Sequence, residues 1–340
     1  MRIDACYDSH VHWAATGEFL QQLRLHDLGS PADILKVRPE KQHFRGEWLL
    51  GFGWDDNKWS TKPHRAELDK WFPNSPVALS RCDGHALWCN TEALKRAGLM
   101  GGPAPVEPKG GRVERGADGL PTGLLIDQAA ELIEKWIPPA SAFEVRRHLL
   151  EGVRKFNLAG YTHIRDMTCD ENQWNEALKI DRTGLLTLAV EEYFWVKDIQ
   201  KLDGVLDLMT RAKAEAPENL RVTGIKIFLD GALGSEGAWL SRCYCGKKHS
   251  GLKLWEEEAL KETLARVWEK GFDVACHAIG DEAADLIVNI AAGLNGEGRP
   301  GTLHIEHGEI IRASTIEKMR GLPFEVHLQP SHWLTDQLWL

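Results

Sequence analysis

Long apolar runs are missing from this sequence, and none reaches the roughly 18 residues that a membrane-spanning helix needs. A basic segment followed by an apolar one is also missing at the N-terminus, so no secretory signal peptide is predicted. Positive charge is in deficit, with a formal net charge of −9. We therefore expect neither nucleic acid nor a membrane as the main partner of this protein.

Paired cysteines are not indicated either. The seven cysteines are odd in number and scattered, which is not the pattern of a disulfide framework, so a reduced cytoplasmic protein is predicted. Internal repeats and low-complexity tracts are absent. Hydrophobic residues make up 43% and charged residues 27% of the 340 residues, enough for one large α/β domain or two ordinary ones.

Strands and helices alternate regularly from residue 141 onward, and this order predicts βαβ units around a parallel sheet. A first strand ends at His12, and a helix is expected from Gly17 to Leu28. Residues 46–140 do not follow this alternation of strands and helices. They include a hairpin that turns at Asp118-Gly119 and are interpreted as an insertion. The expected organisation is a barrel start at 1–45, an insertion subdomain at 46–140 and the rest of the barrel at 141–340. Seven barrel strands are predicted: the one ending at His12, then Tyr161 to Met167, Leu185 to Phe194, Arg221 to Leu229, Phe272 to His277, Thr302 to His307 and Phe324 to Leu328.

Two histidines stand two residues apart at the end of the first strand. Side chains in a strand alternate between its faces, so His10 and His12 point the same way and can share one metal ion. An ordinary strand with two unconnected histidines is the alternative at this point.

Further polar residues lie at the C-terminal ends of later strands, where the active sites of (β/α)8 barrels are built. They include Asp166, Lys226, His277, His307 and Gln329. Histidines converging with carboxylates indicate a divalent-metal site, and nitrogen-rich ligation favours zinc.

Lys226 is unusual in this group because a buried cation beside metal ions is strongly unfavourable. Carbamylation by carbon dioxide would convert the amine into an anionic ligand able to bridge two metals. A lysine that reaches solvent or pairs with Asp230 is the alternative.

Ordered motifs along the chain give a specific resemblance. They are Asp8-Ser9-His10-Val11-His12, Gly53-Trp54-Asp55, Asp83-Gly84-His85, Gly119-Leu120-Pro121-Thr122-Gly123, Lys226 to Ser235, His277-Ala278-Ile279-Gly280-Asp281, Ile305-Glu306-His307 and Gln329-Pro330-Ser331-His332. The chain resembles the amidohydrolase superfamily, specifically the amidohydrolase-3 group that includes N-substituted formamide deformylases. The resemblance implies a metal-dependent (β/α)8 barrel of the TIM type with a large insertion after the first strand.

The same resemblance implies roles for individual residues. His10 and His12 would bind a first metal, His277 and His307 a second, and carbamylated Lys226 would bridge one or two zinc ions or other divalent metals. A metal-activated hydroxide would then hydrolyse a non-peptide C–N bond of a small amide or formamide. For His85, Asp166 and Gln329 we expect positions in the substrate pocket, with structural hydrogen bonds as the alternative.

Family members continue into an eighth strand that carries a general-base aspartate, and no aspartate stands at the matching position here. We therefore expect an incomplete barrel of about seven strands, from a longer hydrolase. Its unpaired edges would favour association with another chain, so a homo-oligomer is an open option. The rival hypothesis is a catalytically inactive fragment, or a pseudoenzyme that binds metal without turnover.

Three other candidate sites have less support from the sequence. Cys243-Tyr244-Cys245 with His249 could form a small zinc site, but two free thiols on a loop are favoured. Glu191-Glu192 could suggest a glycoside hydrolase, yet adjacent strand residues face opposite ways. Gly51-Phe52-Gly53 does not open a helix in a βαβ unit, which excludes a dinucleotide fingerprint.

Overall fold

The structure is a computed structural model and describes residues 5–82, 84, 86–101, 108, 111–234 and 236–332, without the side chains of Lys58 and Asp127. The chain divides into two compact units, one formed by Met1–Gly17 with Val145–Leu340 and the other by Glu18–Glu144. Within the described residues, no helix has the length and apolar character required to cross a bilayer.

Fourteen strands are present in the described part of the chain. They are β1 Cys6–Val11, β2 Leu23–Arg24, β3 Phe44–Arg45, β4 Trp48–Trp54, β5 Val77–Arg81, β6 Ala86–Cys89, β7 Gly111–Arg115, β8 Pro121–Asp127, β9 Tyr161–Cys169, β10 Ala189–Trp195, β11 Leu220–Phe228, β12 Asp273–Ala278, β13 Leu303–His307 and β14 Phe324–His327.

The α-helices are α1 Trp13–Gln21, α2 Arg65–Trp71, α3 Thr91–Arg96, α4 Glu131–Glu134, α5 Ala142–Leu158, α6 Glu171–Arg182, α7 Leu202–Glu215, α8 Glu257–Glu269, α9 Asp281–Gly296 and α10 Ala313–Met319. Short 3-10 turns cover Pro31–Lys36, Lys41–His43, Asp56–Lys58, Gln128–Ala130 and Ile199–Lys201. Helix α5 shows why such segments pack as helices: Val145, Leu149, Val153 and Phe156 recur at helical spacing, and all are buried.

The first unit is built on one seven-stranded sheet in the order β1-β9-β10-β11-β12-β13-β14, and every pairing is parallel. The predicted α/β class and the seven parallel strands are confirmed. A helix follows each of the strands β9 to β13, as βαβ units require.

This sheet is strongly curled. Five strand spacings separate β1 from β13, which is about 24 Å in a flat sheet. The rings of His10 and His307, at the ends of these two strands, nevertheless lie 4.7 Å apart. Curling therefore encloses an inner face, which carries Arg165, Lys226 and Glu306.

The second unit contains a mixed sheet in the order β2-β4-β5-β6-β8-β7, with β3 paired to β4. Its two hydrophobic clusters are centred on Trp48 with Leu125 and on Trp54 with Trp88. The predicted hairpin is confirmed, because β7 and β8 pair antiparallel.

Two predicted boundaries differ from the structure. The first helix runs over Trp13–Gln21 instead of Gly17 to Leu28, since Leu23–Arg24 pairs with β4 as a strand. Leu25 and Ile34 belong to a core of the second unit, which therefore begins at Glu18 and not at residue 46.

Candidate metal centre

Four histidines from three strand ends meet at one edge of the curled sheet. His10 lies near the end of β1 and His12 directly follows it, and their rings are 5.4 Å apart. His307 ends β13, and its ring lies 4.7 Å from that of His10 and 4.6 Å from that of His277 in β12. The structure therefore brings together all four histidines predicted as metal ligands.

The rings of His10 and His12 are each oriented through Nδ1. His10 Nδ1 lies 2.6 Å from Glu306 Oε2, and His12 Nδ1 lies 3.2 Å from Thr168 Oγ1. A partner at one ring nitrogen orients the ring and leaves the other nitrogen as the ligand atom. Nε2 is therefore the metal-binding atom that these contacts leave on both histidines.

His307 is held in the same way and in a strained backbone. Its Nδ1 lies 2.6 Å from Gln329 Oε1, so the predicted pocket residue Gln329 orients a histidine of the centre. The φ angle of His307 is +73°, a left-handed conformation that is uncommon outside glycine and often marks functional sites.

His277 has the opposite arrangement. Its Nε2 lies 3.5 Å from both Gly231 O and Asp230 Oδ1, whereas its buried Nδ1 has no hydrogen-bond partner among the described residues. Asp230 accepts from the backbone N–H groups of Trp239, Ile279 and Gly280. Burial raises the pKa of Asp230 to about 6, against these hydrogen bonds.

Burial keeps three of these imidazoles neutral, which is the form that binds a metal. It lowers the pKa of His12 to about 4, of His277 to about 3 and of His307 to about 2. Neighbouring histidines and Lys226 contribute to the same lowering.

Lys226 is fully buried on the inner face, and none of the described residues forms a hydrogen bond with its Nζ. Nζ lies 5.0 Å from the ring centre of Phe228, whose ring also contacts that of His277. Burial lowers the pKa of Lys226 to about 8. Neither alternative from the sequence fits, because the amine does not reach solvent and Asp230 is bonded to backbone amides.

Glu306 connects the centre to a buried cation. Its Oε2 binds His10, and its Oε1 lies 3.4 Å from Arg165, whose guanidinium sits 4.6 Å above the ring of Tyr193. Burial alone would raise the pKa of Glu306, but His10, Lys226 and Arg165 lower it to about 2. Glu306 is thus a carboxylate that orients His10, a role the sequence reasoning missed.

The sequence does contain a signal for a role of Glu306. An acidic residue inside the apolar run Leu303–His307, directly before a strand-end histidine, is costly to bury without a cationic or hydrogen-bonding partner.

The remaining predicted site residues lie elsewhere. Asp166 is fully buried and accepts hydrogen bonds from the backbone N–H of Trp13, at 2.8 Å, and from Gln173 Nε2. These contacts fit the structural alternative for Asp166, which anchors the start of α1. His85 lies outside the described residues. Cys243 and Cys245 are exposed and free, as the loop interpretation predicted.

A cavity of about 400 Å³ lies beside the histidines. It is lined by His10, His12, His307 and Gln329 together with Phe156 and His332. The ring of His332 stacks on that of His307 at 5.7 Å, and its Nδ1 lies 3.3 Å from Glu309 Oε1. Volumes of this order suit a small organic molecule.

These residues fit a divalent-metal centre. Histidine nitrogens converge, the contacts of each ring leave one nitrogen available, and Lys226 adds a buried amine that has no hydrogen-bond partner in the described part of the chain. Nitrogen-rich donor sets of this kind suit zinc and related divalent ions.

Known proteins are similar to this chain in sequence and in fold. The chain is 31% identical to the protein LONG AFTER FAR-RED 3 of Arabidopsis thaliana, over 97% of this chain and 58% of the relative. It is 26% identical to the N-substituted formamide deformylase of Arthrobacter pascens, over 84% of this chain and 54% of that protein. The chain thus spans little more than half the length of these relatives.

A solved structure extends the comparison. An uncharacterized metal-dependent hydrolase from Pyrococcus furiosus superposes with a TM-score of 0.76 at 25% identity, covering 98% of this chain and 67% of the other. The model of the amidohydrolase family matches residues 6–340. The predicted resemblance is confirmed, and the chain belongs to the amidohydrolase family.

Proposed function

We propose that this chain carries the metal centre of a hydrolase that cleaves a non-peptide C–N bond in a small amide or formamide. The observation that carries the proposal is the convergence of four histidines around buried Lys226, each with one ring nitrogen engaged and the other left available. The relative named for formamide deformylation supports the bond type.

The assignment of ligands to two ions is taken from the family resemblance. His10 and His12 would hold one ion, His277 and His307 a second, and Lys226 would bridge them. A bound zinc or similar divalent ion would supply Lewis acidity, which polarises a substrate carbonyl and lowers the pKa of water. Glu306, Thr168 and Gln329 keep the imidazoles oriented, which holds the donor set in place before any substrate arrives.

Carbamylation of Lys226 is the proposed route to an anionic bridge. The neutral amine attacks the carbon of carbon dioxide, a C–N bond forms and one proton is released to solvent. The lowered pKa of about 8 makes the neutral amine much more populated near neutral pH than for an exposed lysine. The carbamate would provide two oxygen ligands and remove a buried unpaired cation.

His332 is the described group best placed to move a proton. Its ring borders the cavity, stacks on His307 and lies 3.3 Å from the carboxylate of Glu309, which orients the ring. We assign it the delivery of a proton to the leaving amine. Its half-exposed side chain can then recover a proton from solvent.

The test combines metal analysis with turnover. The full chain is purified, its zinc, manganese, iron and cobalt contents are measured, and release of amine is followed on a panel of N-substituted formamides and simple amides. His10→Asn and His277→Asn should each lose metal and activity, whereas His163→Asn, at an exposed strand histidine, should retain both.

Two results would contradict the proposal. Metal binding without turnover on any member of the panel would favour the pseudoenzyme hypothesis. Metal content unaffected by His10→Asn and His277→Asn would reject the assigned centre.

A further inference from the structure

A second group of metal-binding side chains lies on the same sheet, outside the centre described above. His304 in β13 pairs in register with Glu325 in β14, and His327 follows Glu325 by two residues. Parallel neighbours in register and residues two apart share a face, so the three side chains point the same way. We propose that His304, Glu325 and His327 form a separate binding site for zinc or a similar divalent cation.

The distances among the three ligand atoms support this site. His304 Nδ1 lies 3.1 Å from His327 Nε2 and 3.2 Å from Glu325 Oε2, and the last two atoms are 3.4 Å apart. Three ligands about 2.0–2.1 Å from a tetrahedral zinc are separated by about 3.3 Å from one another. The observed triangle therefore matches one face of a tetrahedral coordination sphere.

The contact behind His304 is compatible with a cation at the centre of the triangle. His304 Nε2 lies 3.4 Å from Asp273 Oδ2, and in the tautomer with the proton on Nε2 the lone pair is on Nδ1. That lone pair faces a carboxylate oxygen and a second imidazole nitrogen. A cation at the centre satisfies all three atoms, and a carboxylate behind a ligating histidine is the usual supporting arrangement.

The two histidines of the site are mostly buried, whereas its glutamate is exposed to solvent. The side chains of His304 and His327 are 8% and 13% exposed, whereas that of Glu325 is 60% exposed. Burial lowers the pKa of His327 to about 4, which keeps its ring in the neutral form that binds metals. The carboxylate of Glu325 gives a cation access from solvent.

The two sites use different ligands, although His327 pairs in register with Glu306, which orients His10 in the other centre. His304 lies three positions before His307 in β13, which is about 10 Å along a strand. A cation held by His304, Glu325 and His327 would link β14 to β13, and β14 is the last strand in the described order of the sheet. We therefore expect its binding to stabilise the pairing of these two strands.

The experiment uses the full chain after chelator treatment, titrated with zinc alone by calorimetry. Wild type should bind one equivalent more than His327→Asn, and Glu325→Gln should bind that equivalent at least tenfold more weakly. His163→Asn, which changes an exposed histidine of the same sheet, should match wild type. His10→Asn should leave the equivalent that depends on His327 in place, which separates this site from the proposed catalytic centre.

Circular dichroism of each metal-free variant checks folding. If His327→Asn fails to fold, Glu325→Gln decides the question, because a mostly exposed side chain can be changed without disturbing the core. Wild-type stoichiometry and affinity in Glu325→Gln would overturn the proposal and leave a hydrogen-bonded cluster without a cation.

Discussion

His10 Nδ1 and Glu306 Oε2 are 2.6 Å apart although 296 residues separate them in the chain. The bond joins the first strand of the curled sheet to its sixth, and it orients the ring that presents Nε2 to the candidate metal centre. Both side chains are buried, at 8% and 0% exposed, so water competes little for this contact.

Replacing Glu306 by Gln should weaken the metal centre. Gln keeps the shape but removes the negative charge that orients His10, and such partners of ligating histidines contribute about 10–100-fold to metal affinity. Affinity is measured by competition with a chelator of known strength. Glu317→Gln, at an exposed carboxylate, is the control. Equal metal affinities for both variants would mean that Glu306 does not support the metal centre.

The buried amine of Lys226 should destabilise the metal-free fold at neutral pH. Its pKa is lowered by burial from 10.5 to about 8, so the folded state binds fewer protons than the unfolded state between these two values. Stability therefore rises with pH in that window, and the full penalty applies below pH 8.

Lys226→Met should accordingly raise the unfolding free energy at pH 7 by up to about 3 kcal/mol in metal-free buffer depleted of carbon dioxide. Urea denaturation at pH 7 and pH 9.5 checks this. The difference between variant and wild type should shrink at the higher pH. A difference that does not depend on pH would mean that Lys226 does not titrate as a buried amine.

Asp166→Ala should reduce stability without changing substrate affinity. Asp166 and Glu192 are buried together, and burial raises the pKa of both carboxyl groups. Removing Asp166 leaves the backbone N–H of Trp13 unsatisfied, at a cost of about 1–3 kcal/mol, and removes the shorter of two contacts of the Gln173 amide.

The measurements for Asp166→Ala are urea denaturation and KM on a turned-over amide. A raised KM with unchanged stability would restore Asp166 to the substrate pocket.

Thiol labelling should separate the cysteines into exposed and buried sets. Cys82, Cys243 and Cys245 are exposed, whereas Cys89, Cys169 and Cys276 are buried, and burial raises the pKa of these three thiols. The exposed set should react within minutes in native buffer, and the buried set only after denaturation. Bound zinc should remain after native labelling. Loss of zinc on labelling would indicate that Cys243 and Cys245 bind it.

The strand-end positions of the histidines could be predicted from sequence. Alternation in a strand places His10 and His12 on one face, and parallel strands bring His277 and His307 to the same edge. The partner of His10 could not be predicted this way. Alternation tells which face Glu306 occupies, but only the degree of curl decides that β1 meets β13.

The contacts of Asp166 also could not be predicted from the sequence. Arg165 and Asp166 are adjacent in β9 and face opposite sides, and Arg165 takes the inner face by reaching Glu306. Asp166 therefore points towards the helices, where it binds the first residue of α1. That tertiary contact also explains why α1 begins at Trp13 and not at Gly17, since local sequence does not show which distant carboxylate anchors a helix.

The curl of the sheet has a consequence for folding. The histidines of the centre come from both ends of the chain, so they form a donor set only after β1 and β13 have been brought together. A metal ion should therefore bind only after the sheet has formed completely. Removing the metal with a chelator should lower the melting temperature of the whole unit. Long-range closure of this kind slows folding, so metal uptake is expected to coincide with the slowest refolding phase.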